Sequence, residues 1–148
     1  MYTSNAPGST PCACTTIKKL SRVLGRTYDE ALASADINIT QLAVIRCISR
    51  REGEPLARVA HELEMDRTSL YRAIAPMIRD GWLVMAKGSD ARSRSATITK
   101  KGRQILAKAA TGWDDIQDRL IRRFGPSAYG SLMVELNRLA DCAEVVQK

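Results

Sequence analysis

The residues best suited to chemistry lie close together, between Arg67 and Lys101. Arg67, Thr68, Ser69, Tyr71 and Arg72 open one polar segment. Arginine can bond bidentately to a guanine edge, serine and threonine reach bases or phosphates, and tyrosine reaches a phosphate or a thymine methyl. Lys87, Asp90, Arg92 and Arg94 follow in a basic loop, with Lys100 and Lys101 beyond it. Cations there suit phosphates, which set affinity and salt dependence more than specificity. Asp90 repels phosphate, so it reads either as an ion-pair partner that orients Arg92 or as a turn-former beside Gly88-Ser89. Residues of these types in this order suit recognition of double-stranded DNA.

The four cysteines offer a second chemistry. Cys12 and Cys14 form a Cys-x-Cys pair near the start of the chain, with Lys18 and Lys19 following. A sensor thiol needs thiolate character and access, and nearby cations lower a thiol pKa. A direct Cys-x-Cys disulfide closes a small, strained ring, so an intersubunit bond is the better expectation for a redox-sensing role. Cys47 sits in the apolar run Leu-Ala-Val-Ile-Arg-Cys-Ile and reads as a buried small hydrophobe; Cys142 is expected to pack on the last helix.

Catalysis is not expected. The single histidine, His61, has no companion at metal-ligand spacing, and its His-Glu-x-x-Met context is not the zinc-protease pattern. There is no glycine-rich phosphate loop or nucleophile motif, so neither metal nor cofactor is expected.

These residues need elements to hold them. Apolar positions Ile17, Leu20, Leu24, Tyr28 and Leu32 predict a first helix from about Thr15. Thr40 reads as the N-cap of a second helix, Gln41–Arg50. Pro55 suits the first position of a short third one. Asp66 reads as the N-cap of a helix over Arg67–Asp80 that Gly81 ends. Pro76 falls inside it, past the turns that carry the polar set. Gly81-Trp82-Leu83-Val84 and Ala96-Thr97-Ile98-Thr99 predict two strands around the basic loop. Two long helices follow, broken at Gly125-Pro126. Their stripes, and that of the first helix, need partners, which an isologous dimer would supply.

The fold class expected is mainly α with a small β-hairpin wing: a winged helix-turn-helix over 37–102. A helical dimerisation region takes 15–36 and 103–148, and 1–14 form a flexible arm. The net charge of +7 fits a polyanionic partner. Aromatic content of 5% argues against single-strand modules, which stack bases on aromatic platforms. No apolar run is long enough to cross a membrane, and the N-terminus lacks a signal-peptide pattern, so a cytoplasmic location and no membrane partner are expected.

Asp90-x-Arg92 followed by Ile98-Thr99-x-x-Gly102 resembles the wing signature of the MarR family of bacterial transcriptional regulators. Thr40-Gln41-Leu42 is similar to that family's start of its second helix, and Gly81-Trp82-Leu83-Val84 to its first wing strand. The resemblance spans about Thr15 to Val146. It implies a homodimeric repressor of a palindromic operator, with Arg92 in the minor groove, released by a small aromatic or phenolic effector. Arg22, Arg26, Tyr28, Arg46 and Trp113 are the effector-pocket candidates it suggests. A thiol-sensing repressor, and a winged-helix protein-interaction module without DNA binding, are the alternatives.

Overall fold

The computed structural model describes residues 10–87 and 94–146. Helix α1 (Ala13–Leu32) runs into a 3-10 turn, Ala33–Ala35, that Asp36 ends in the left-handed conformation at φ 55°. Helix α2 (Ile39–Arg50) follows, then α3 (Leu56–Glu62) and α4 (Arg67–Arg79). Strands β1 (Leu83–Lys87) and β2 (Arg94–Ile98) pair antiparallel, with Leu83 opposite Ile98 and Lys87 opposite Arg94. Helices α5 (Lys100–Phe124) and α6 (Pro126–Val146) complete the described chain. The chain is thus mainly helical with a hairpin wing, as its sequence predicts. The residues divide into two compact units, Met1–Gly112 and Trp113–Lys148.

Local sequence explains most boundaries. Asn38, rather than Thr40, caps α2. Its side chain accepts from the Gln41 amide at 2.8 Å, and the Asn38 amide donates to Gln41 Oε1 at 3.2 Å. This reciprocal capping box satisfies two orphan amides at once, which Thr40, two residues on and already inside the helix, cannot do. Pro55 stands one residue earlier than expected, as the N-cap of α3. Helix α1 begins two residues before Thr15. Helix α4 ends as expected: Gly81 takes φ 74°, its amide donates to the Ile78 carbonyl at 3.0 Å, and the Trp82 amide donates to Met77 at 2.8 Å. That is the Schellman arrangement, with Met77 and Trp82 both buried beneath it. Pro76 leaves α4 continuous to Arg79.

The first unit has one core. Leu42, Ile45 and Ile48 of α2 meet Leu56 and Val59 of α3, Leu70, Ile74 and Met77 of α4, and Leu83 and Ile98 of the hairpin. All are buried. Tyr28 and Leu32 bring the end of α1 onto this core, while Ile17 and Val23 nearer its start stay exposed. Helix α6 buries no residue of its own, and Val134, Leu139, Val145 and Val146 face solvent. Cys142 is exposed rather than packed on α6. Among the described residues, no single helix is long and apolar enough to cross a membrane.

Candidate nucleic-acid interface

The opening of α4 carries the base-reading candidates. Asp66 caps the helix: Oδ1 accepts from the Ser69 amide at 2.8 Å and Oδ2 from the Ser69 hydroxyl at 2.6 Å. The Ser69 hydroxyl, then its amide, hold the Asp66 carboxyl below the ordinary aspartate range. Arg67, Thr68 and Arg72 are exposed, while Ser69 and Tyr71 are half-buried. The Arg67 guanidinium lies over the Tyr71 ring, 5.4 Å from its centroid, one turn away on the same helix face. Leu70, Ile74 and Met77 fasten the opposite face into the core. Hydrophobic anchoring behind and polar exposure in front give α4 one free face, and it is the basic one.

The hairpin stands beside that face. Arg94 at the start of β2 is exposed, and Ser95 behind it is buried, bridged antiparallel to Pro55. Lys87 pairs with Arg94 in the ladder. Asp90 and Arg92 lie outside the described residues.

The base of the hairpin is clasped. The Thr99 hydroxyl is shared between the Gly81 carbonyl at 2.7 Å and the Trp82 carbonyl at 3.2 Å, and accepts from the Gly102 amide at 3.0 Å. The Thr99 amide donates to the Trp82 carbonyl at 3.0 Å. Gly102 is required by contact: a Cβ there would sit 2.2 Å from the Trp82 oxygen. The Thr99-x-x-Gly102 pattern is therefore a scaffold device, not a DNA contact. Lys101 is also engaged, donating to the Asp80 carbonyl at 2.8 Å, so it caps the end of α4 instead of standing ready for phosphate. Lys100 is exposed.

Ion pairs hold α3 behind the interface. Glu62 receives Arg50 at 2.8 Å and also Arg51, and Arg51 reaches Glu54 at 3.1 Å. Arg51, then Arg50, hold the Glu62 carboxyl down to about 2. Arg103 of α5 pairs with Glu52 at 2.8 Å. Burial, then the Glu62 carboxylate, pushes the Cys47 thiol up. This network carried no signal in the sequence beyond a run of mixed charge.

Sequence reasoning also missed a cleft of about 380 Å³ between α3, α4 and β2, lined by Ala60, His61, Arg67, Tyr71 and Arg94 among others. Arg22 and Arg26 are exposed on α1, Tyr28 is buried, Arg46 is half-buried on α2, and Trp113 opens the second unit. Cys12 is the N-cap residue of α1, and both it and Cys14 are exposed. The Cys12 thiol makes no cap hydrogen bond, yet the adjacent Thr15 amide and hydroxyl hold it below the usual thiol range.

The order of these elements has counterparts among known proteins. A family model described as the IclR helix-turn-helix domain matches residues 42–85, from α2 through β1. The M. tuberculosis transcriptional regulator MosR, solved in complex with DNA, is 30% identical, with a TM-score of 0.84 over 93% of this chain and 100% of its own. MarR superposes with a TM-score of 0.72 at 17% identity, over 97% of this chain and 98% of its own. PcaV of Streptomyces coelicolor, solved with its natural ligand, gives 0.75 at 16% identity over 91% of this chain and 99% of its own. The last two likenesses concern the fold alone. No curated protein matches the chain in sequence.

Proposed function

The chain belongs to the MarR family of transcriptional regulators, and from that premise we propose that it is a homodimeric repressor of a palindromic operator. One observation carries the reading: α4 is anchored by Leu70, Ile74 and Met77 and leaves Arg67, Thr68 and Arg72 exposed at its capped end, beside the hairpin. In the major groove Arg67 and Arg72 contact guanine or phosphate, and Thr68 and Tyr71 contact bases or backbone. Arg94 and Lys87 serve phosphates, and Arg92 enters the minor groove with Asp90 orienting it. The complex of MosR with DNA supports this use of the fold.

The exposed apolar residues of α6 and of the first half of α1 support the dimer. A two-fold pair places two α4 helices in adjacent major-groove half-sites, about 34–36 Å apart. Operation on genomic DNA puts the protein in the cytoplasm. Release by a small molecule is part of the proposal, as the family resemblance implies; PcaV, which shares the fold, is solved with its natural ligand. Arg22, Arg26, Tyr28, Arg46 and Trp113 remain the candidates to meet it, once a dimer assembles.

A second reading is favoured by one specific feature. Cys12 is exposed, and its neighbours stabilise the thiolate, as thiol sensing requires. Oxidation joining Cys12 or Cys14 to a partner protomer would then release the operator.

Genome-wide selection of DNA by the purified protein, with and without reductant and at two salt concentrations, tests both. A short palindrome bound in a salt-sensitive way is the expected result. Loss of binding only under oxidation assigns the sensor to Cys12 and Cys14. No enriched sequence in any condition overturns the repressor reading in favour of a protein-interaction module.

A further inference from the structure

The geometry at the start of α4 fixes the direction of a hydrogen bond, and with it a base preference. An ionised carboxylate only accepts, so the 2.6 Å contact between Ser69 and Asp66 must use the single proton of the Ser69 hydroxyl. The second Asp66 oxygen already holds the Ser69 amide at 2.8 Å. Asp66 is exposed, and its carboxyl is held below the ordinary range, so it stays charged at neutral pH. What remains at this corner, for anything facing it, is lone pairs: those of the Ser69 oxygen and of both Asp66 oxygens. The corner is an acceptor beside the donor Arg67, whose guanidinium is drawn toward Tyr71.

We propose that Ser69, together with Asp66, selects a base that offers an amino group in the major groove, cytosine through N4 or adenine through N6. The proposal rests on the DNA-binding role of α4 argued above. Guanine O6 and thymine O4 are acceptors and would face lone pairs across the contact. Phosphate is excluded for the same reason, with charge repulsion added. Ser69 is therefore a specificity-determining residue rather than one of the general polar contacts that its type alone suggests. Arg67, one residue from the cap, reads a keto or N7 edge next to the amino group.

A substitution of nearly identical shape reverses the corner. Asn is as good an N-cap as Asp. In Asp66→Asn, Oδ1 keeps the Ser69 amide, and Nδ2 donates to the Ser69 oxygen. The hydroxyl proton is freed, and the corner becomes a donor. The preferred base changes from amino-bearing to keto-bearing by a transition, cytosine to thymine or adenine to guanine, whose O4 and O6 take the places of N4 and N6. Ser69→Ala leaves the backbone cap in place and removes the hydroxyl.

The experiment is selection from a random duplex library by the full chain and by the two variants, with melting temperatures measured alongside. The wild type should favour cytosine or adenine at one symmetric position by about 5- to 100-fold, the range of a good base contact. Asp66→Asn should melt within a degree or so of the wild type and shift that position from cytosine to thymine or from adenine to guanine, and Ser69→Ala should flatten the preference there. A wild type that selects a palindrome, with unchanged matrices in both variants, overturns the inference and leaves the DNA-binding role standing. A wild type that selects nothing overturns both.

Discussion

Gly102→Ala inverts an ordinary expectation. Inside a helix, alanine is worth about 1 kcal/mol more than glycine. Here the added methyl would lie 2.2 Å from the Trp82 carbonyl oxygen and 2.8 Å from Ile98 Cγ1. The first obstacle is backbone and cannot rotate aside, so the first turn of α5 must lift from β1 by roughly 1 Å to restore a van der Waals contact. Forced overpacking of this kind costs about 1–3 kcal/mol. Lifting also stretches the Thr99 bonds to Gly81, Trp82 and Gly102, each with a net worth of about 0.5–1.5 kcal/mol. After the propensity gain, the net loss is about 2–4 kcal/mol. For a chain of this length that is a fall in Tm of about 6–12 °C. Calorimetry on wild type and variant reads it directly. Thr99→Val should cost about 1–3 kcal/mol alone, and the double variant less than the sum, because both act on one clasp. A Gly102→Ala protein that melts at or above the wild-type temperature refutes the reasoning.

Three further predictions follow from the interface and its supports. Arg92→Ala should weaken operator binding and lower the slope of log affinity against log salt by about one; an unchanged gel-shift titration contradicts the minor-groove role. The Glu62 carboxyl is held at about 2 against an ordinary 4.5, so its ion pairs with Arg51 and Arg50 favour the folded state fully above about pH 4.5 and progressively less as the pH falls toward 2. Glu62→Gln should accordingly be less stable at pH 6 but lose less than the wild type between pH 5 and pH 3 in urea titrations, and parallel curves for the two proteins disprove it. Cys12→Ser should keep operator affinity under reductant and resist a thiol oxidant that releases the wild type; equal sensitivity of both proteins removes Cys12 as the sensor.

Much of the frame could be read from residue types because each signal had a single structural solution. Asp66 before an amphipathic run, and Gly81 after it, bound α4 through capping rules that act over one turn. Thr99-x-x-Gly102 was visible as a pattern, but its reason was not: it lies in a carbonyl brought from Trp82 by strand pairing. Residue type points to Thr40 as the cap of α2 and misses the reply of the Gln41 side chain to the Asn38 amide, which moves the cap to Asn38. Lys101 read as a phosphate ligand because its sequence neighbours are basic, whereas its actual partner, the Asp80 carbonyl, is distant in sequence. The proton of Ser69 was illegible for another reason. Residue type says that serine can donate or accept, and only the neighbour at 2.6 Å settles which.

The clasp at Thr99 has a consequence for how such a chain can vary. It ties residues 18 apart, Gly81 and Thr99, at the foot of the hairpin, and the Leu83–Ile98 pair begins the ladder just above it. The foot of the hairpin, from the clasp to the Lys87–Arg94 pair, is thus held by its own bonds. Lengthening the tip costs only loop entropy, about 0.6 kcal/mol for each doubling. The charge and length of the proposed minor-groove reader can therefore vary while the clasp and the α4 face, the proposed major-groove reader, stay as they are.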